Sequence, residues 1–349
     1  MTMQDESRML LAEAEAAEVT KAQHAVADEF LDPAKALPNV NGLAAGIKWK
    51  AGRPTGEPAM LVLVDHKVAA DELAQGQAIP KKLGGMQTDV LAIGSPTILP
   101  GDAAQDGGVQ TLARRVRPAE GAYSVGHHRI TAGTIGTCVY DILPGGGVSP
   151  PVHGVGVPAK YYILSNNHVL ANSNLGLLGD PVLQPGPYDG GVDPSDRIAR
   201  LSRFIPLVYG PTARNLVDAA IAEGPFHDLD REIYWIGTVD GWRRRTGVTV
   251  GMNVMKTGRT TNFTTGRVTA ISAIVTVGGY PGGPVRFVDQ IVTTNISAGG
   301  DSGSLVLTRE GCCRVAIGLL FAGSSVATIV NQIENVRALL RVEVAEQMF

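Results

Sequence analysis

The residues of greatest chemical interest lie in Ser297-Ala298-Gly299-Gly300-Asp301-Ser302-Gly303-Ser304, a serine between glycines followed by the apolar run Leu305-Val306-Leu307. A serine hydroxyl attacks a carbonyl only when a base takes its proton and hydrogen-bond donors hold the oxyanion that forms. A candidate base lies upstream, where the apolar stretch Tyr161-Tyr162-Ile163-Leu164 runs through Ser165-Asn166-Asn167 to His168. A candidate orienting carboxylate is Asp218, framed by the small apolar residues of Asn215-Leu216-Val217-Asp218-Ala219-Ala220-Ile221-Ala222. Taken singly, these are a turn serine, a core histidine and a strand-edge carboxylate. Their order, His then Asp then Ser, is one of several in which a nucleophilic triad occurs.

These segments resemble trypsin- and chymotrypsin-like serine peptidases, whose histidine follows a small-residue strand, whose aspartate opens a D-x-A-x pattern and whose serine lies in G-D-S-G. The likeness continues through Lys256-Thr257-Gly258-Arg259-Thr260-Thr261 and Thr265-Gly266-Arg267-Val268 and covers roughly the last two-thirds of the chain. A bacterial branch with an N-terminal extension has the most similar look, and plant narrow-leaf-type proteases share some of it. The resemblance implies an all-β fold of two six-stranded antiparallel barrels with the site in the crevice between them. His168 and Asp218 would come from the first barrel and Ser302 from the second. His168 would act as base, Asp218 would orient it, and the backbone N–H groups of Gly300 and Ser302 would form the oxyanion hole. The resemblance also implies that Ile296 forms the floor of the primary pocket, favouring apolar or small side chains, and that Phe321-Ala322-Gly323 is the edge strand for substrate backbone.

Two positions depart from the family. It commonly carries serine at the position of Phe321, bonded to the catalytic carboxylate, so support for Asp218 is missing at that point. It commonly pairs the residue at Asp301 with a freed N-terminus, yet no activation site is evident, which leaves internal pairing as the expectation. The expected activity is a serine endopeptidase acting on protein or peptide without a cofactor or metal. The alternatives are a catalytically silent binding module of the same fold and a self-processing protease.

The elements that must position these residues follow from composition and punctuation. With 349 residues the chain has material for about two domains. Aromatics at 5%, 43 glycines and 21 prolines suit many tight turns between short strands. Residues 1–100 read as an N-terminal unit: a helix over residues 5–31, ended by Pro33 and Pro38, then a small α/β domain with a short helix near 69–75. Its long first helix makes self-association of the chain a reasonable expectation. Residues 101–121 read as a linker and 122–349 as the peptidase-like domain, with barrels at about 122–235 and 236–330 and a C-terminal helix over 332–348. Residues 131–140 read as the opening strand of the first barrel.

Other function classes are disfavoured. The net charge of −3 and the short clusters Arg114-Arg115 and Arg243-Arg244-Arg245 give no nucleic-acid surface. No stretch approaches the ~20 consecutive apolar residues that cross a bilayer. The start lacks the cationic and apolar regions of a secretory leader, and three cysteines make no disulfide framework, so the expected location is cytoplasmic. His127-His128, His153 and His227 show no recognisable metal-ligand spacing. The Gly179–Gly191 loop is explained by turn chemistry, with substrate contact or cation binding as a lesser reading.

Overall fold

In the computed structural model the described residues are 3–69, 71–98 and 112–349. The β-branched and aromatic runs of the C-terminal half form six strands: Asn253–Gly258, Asn262–Val277, Val285–Thr294, Ala327–Gln332, Cys313–Gly323 and Leu305–Glu310. Each is antiparallel to the next, and the last returns to the first through Met255 opposite Leu307, which closes a barrel. Closure removes the exposed edges that an open sheet would carry.

The first barrel of the chain precedes this second one. Thr137–Asp141, Tyr161–Ser165, Ala220–Gly224, Arg197–Phe204, Pro181–Leu183, Ser124–His127 and Gly133–Thr134 are joined edge to edge in that order. The chain itself joins the two ends of the series, because Gly133–Thr134 runs on through residues 135 and 136 into Thr137–Asp141, where Gly136 N bonds Leu164 O (2.9 Å). The stretch 131–140 is therefore two short pieces, Gly133–Thr134 and Thr137–Asp141, pairing with different partners. One apolar core fills this barrel and continues through Leu305, Leu307, Ala316 and Leu319 of the other, so the two barrels share packed surface.

The N-terminal residues add to the second barrel's sheet. Val40–Lys50 pairs with the stretch of Asn262–Val277 that includes Ile271, Ile274 and Val275, and then with Arg53–Val64, which in turn pairs with Met86–Ala92. The pairing is close: a Cβ at Gly42 would lie 1.9 Å from the Ile274 carbonyl oxygen, so only glycine fits. The helix Glu13–Phe30 lies over this sheet with Val19, Gln23 and Ala27 buried. Gln23 donates to the carbonyls of Leu43 and Ser272, both at 3.0 Å, fastening the helix across the junction of the two strands.

Several expectations need correction. The helix over 5–31 is two helices, Met3–Ser7 and Glu13–Phe30, broken at residues 8–12. The stretch near 69–75 forms turns where it is described, its apolar residues being too few to hold a buried helical face. The C-terminal helix spans only Ile333–Leu340; Arg341 takes a left-handed conformation (φ 57°), and Val342–Glu343 then joins the first barrel. Most of the expected linker lies outside the described residues. Its last part packs on the first barrel, with Ala119–Gly121 paired to Leu229–Ile233.

Candidate active site

His168 sits in the single turn Asn167–Leu170 that follows strand Tyr161–Ser165. Asp218 lies just before strand Ala220–Gly224 and is fully buried. A buried carboxylate is tolerated only when donors surround it. Asp218 Oδ2 accepts from His168 Nδ1 at 2.6 Å and from the Tyr280 hydroxyl at 2.6 Å, while Oδ1 accepts from the His168 backbone N–H at 3.1 Å. Its own main chain is pinned too: Asp218 N donates to Asn331 Oδ1 (2.8 Å), and its carbonyl accepts from Asn166 Nδ2 (2.8 Å). With the Nδ1 proton directed at Asp218, the imidazole presents the lone pair of Nε2. That atom is buried and has no hydrogen-bond partner among the described residues.

Tyr280 answers the departure noted at Phe321. Its hydroxyl bonds the Asp218 carboxylate, which the residue at 321 does not, and its ring stands edge-on to His168 at 6.1 Å. Burial first, then the Asp218 carboxylate, push the phenol well above its usual pKa, so it remains a donor. Phe321 instead packs against Phe287, the tilted rings 4.6 Å apart, inside the second barrel. Nothing local to Tyr280-Pro281-Gly282-Gly283 signals this role, because its partner is 62 positions away.

Ser302 lies on the loop between Val285–Thr294 and Leu305–Glu310. Gly300 and Gly303 hold φ of 92° and 98°, a region other residues enter only with strain. This turns the loop so that, among the described residues, the Gly300 and Ser302 N–H groups meet no acceptor. Asp301 anchors the loop from beneath. It accepts from the N–H groups of Thr260 (2.8 Å), Thr261 (3.1 Å) and Ala298 (3.1 Å), the Thr261 hydroxyl (2.6 Å) and the Lys256 ammonium (3.1 Å). Lys256 and Asp301 are both wholly buried, and burial lowers the ammonium's pKa while Asp301 pulls it back up. Internal pairing of Asp301, expected from the absence of an activation site, is thus made by Lys256.

Thr134 ties the two barrels at this point. Its N–H donates to Ser302 O (2.8 Å), its hydroxyl to Gly300 O (2.8 Å), and its own carbonyl accepts from Ser165 Oγ (2.7 Å), on the strand that delivers His168. The serine loop and the histidine strand are therefore set against each other through one residue. The Ser302 hydroxyl itself donates to Phe321 O at 3.4 Å. No hydrogen bond joins it to His168 in this conformation, so the two side chains lie on neighbouring elements without being engaged.

The remaining sequence candidates are placed as follows. Ile296 is buried in the second barrel, its N–H donating to Thr328 Oγ1 (3.1 Å), and Phe321-Ala322-Gly323 ends a strand beside the serine loop. In the Gly179–Gly191 loop, Asp189 is paired with Arg259, which donates through Nε at 2.8 Å and through a second guanidinium nitrogen, so its carboxylate is already neutralised. His127, His128 and Asp180 bring ligand atoms within 4.8 Å of one another. Yet His127 Nδ1 accepts from the Arg129 N–H (3.2 Å) and Nε2 meets Asp180 at 2.9 Å, which satisfies the ring as a core histidine. The supporting roles of Lys256, Tyr280, Thr134 and Asn331 went unassigned in the sequence, where Lys256 entered only as part of a family-like run and Thr134 only within the stretch 131–140.

No protein-family model and no curated protein matches the chain. Among solved structures, Thermobifida fusca Protease A is similar at 17% identity and TM-score 0.42, over 65% of this chain and 97% of its own. Nocardiopsis Protease is similar at 19% identity and TM-score 0.43, over 64% and 97%. Deg5 is similar at 19% identity and TM-score 0.35, over 64% and 88%. With TM-scores at this level, the assignment of roles rests on the contacts within the chain itself.

Proposed function

We propose that the protein is a serine endopeptidase in which His168, Asp218 and Ser302 form the triad. The observation that carries this reading is the short His168 Nδ1–Asp218 Oδ2 contact, 2.6 Å, which leaves a buried, unpartnered Nε2 lone pair. For reaction the Ser302 hydroxyl leaves Phe321 O for that lone pair, and His168 removes its proton as the oxygen attacks a peptide carbonyl. His168 then returns the proton to the leaving amine, and water repeats the sequence on the acyl-enzyme. Asp218 favours the imidazolium that forms between these transfers. The Gly300 and Ser302 N–H groups receive the oxyanion, a role in which one missing donor costs roughly 2.7–4 kcal/mol. Phe321-Ala322-Gly323 would hold the substrate backbone, and Ile296 would set an apolar limit to the primary pocket.

Labelling with a fluorophosphonate tests the reading. The expected result is covalent modification of the wild-type chain at Ser302 and none of Ser302→Ala. A well-folded wild-type protein that takes up no label favours the catalytically silent module instead. Should intact mass fall on ageing in the wild type and hold in Ser302→Ala, the chain itself is a substrate.

A further inference from the structure

The clearest unassigned feature is a short stretch of the chain's own backbone. Strand Cys313–Gly323 is paired with Ala327–Gln332 along one side, up to Gly323 opposite Thr328. On its other side the pairing with Leu305–Glu310 stops at Leu319, followed by the bonds between Leu320 and the serine loop. Beyond that point the edge from Phe321 to Gly323 runs past the nucleophile, since Phe321 O accepts from Ser302 Oγ. An extended peptide that offers a carbonyl to Ser302 gains main-chain hydrogen bonds by lying along this edge.

The edge is occupied by Thr97. Its N–H donates to Gly323 O at 3.0 Å and its carbonyl accepts from Gly323 N at 3.1 Å, an antiparallel bridge. The alternate groups face the other way: Ile98 N donates to Gly278 O (3.1 Å) and Gly278 N to Pro96 O (2.9 Å). Residues 96–98 are thus inserted as a strand between two edges. Ile98 packs against the cluster that contains Tyr280 and Leu207, beside the triad's aspartate support. Upstream, Ser95 Oγ is held by Asp65 (2.7 Å), and the Gly94 carbonyl by Asn41 (2.8 Å). Ser302 is only 1% exposed.

We propose that residues 95–98 are a cis-bound peptide occupying the acceptor edge of the site, and that a polypeptide substrate enters by displacing them. The proposal rests on the peptidase reading and deepens it. The occupant also marks the chemistry of an incoming chain: extended, uncharged, with small or β-branched side chains. A tethered competitor lowers apparent affinity by the fraction of molecules whose edge is free.

The test uses the full chain carrying Ser302→Ala, so that binding is read without turnover. The probe is a fluorescein-labelled synthetic peptide, Gly-Ser-Pro-Thr-Ile, followed by anisotropy. Adding Thr97→Pro removes the N–H that bonds Gly323, and in a separate protein Ile98→Ser removes the apolar anchor while keeping every main-chain donor. Each is expected to bind the probe about tenfold more tightly than Ser302→Ala alone. Unchanged or weaker binding in the folded variants overturns the proposal, and Ile98→Ser decides if Thr97→Pro fails to fold. Failure of the peptidase reading is separable, because fluorophosphonate labelling of the wild type reports the nucleophile and not the edge.

Discussion

Asp218 and Asp301 are both completely buried, yet they are compensated in opposite ways. Asp218 is surrounded by neutral donors, an imidazole N–H, a phenol and a backbone N–H, so its negative charge is dispersed without being cancelled. Asp301 receives three backbone N–H groups, a hydroxyl and the buried Lys256 cation. A buried charge with no counter-charge costs several kcal/mol unless hydrogen bonds repay it. Under the proposed function the difference separates chemistry from architecture: Asp218 would keep a charge available for an imidazolium at His168, whereas Asp301 spends its charge holding the loop that carries Ser302.

The largest expected effect breaks the Asp218 side. Asp218→Asn should lower fluorophosphonate labelling about 10⁴-fold by disturbing the imidazole tautomer, while circular dichroism shows the fold intact. Labelling at the wild-type rate would remove Asp218 from the triad. Next comes the Asp301 side, where Lys256→Met strands a buried carboxylate and should cost about 3–5 kcal/mol in denaturant unfolding. Adding Asp301→Asn should recover much of that loss; if it recovers none, the two residues are not coupled.

Tyr280→Phe sharpens the contrast at smaller scale. It removes one neutral donor from Asp218, which should slow labelling about tenfold. Labelling at the wild-type rate together with a loss of unfolding stability would make Tyr280 a packing residue only. The smallest effect concerns a third pair, the buried His127 with the partly exposed Asp180. Burial lowers the His127 pKa below its ordinary 6.5 in spite of the Asp180 bond. Its contribution to stability is therefore complete above about 6.5 and is lost as the pH falls through the lowered folded value. His127→Gln should flatten the fall in Tm on acidification relative to the wild type; parallel curves would exclude the group as a source of acid sensitivity.

The strand-rich fold and the order of the reactive residues were legible because both are local signals: β-branched runs between glycines and prolines, and a serine held by Gly300 and Gly303. The helix ends were less so. Arg341 turns left-handed where the pattern Val-Arg-Ala-Leu-Leu-Arg would allow another turn, because Val342 and Glu343 find a strand to pair with in the first barrel.

By itself, the sequence determined which side chains could react and in which order the chain presents them. The tertiary structure alone decided what supports them: Tyr280 in place of the serine absent at Phe321, Lys256 beneath the nucleophile loop, Thr134 between the barrels, and Thr97 against Gly323. Propensity and periodicity report on neighbours within a few residues. Hydrogen bonds between residues 45 to 226 positions apart are fixed only when sheet register and barrel closure bring their elements together.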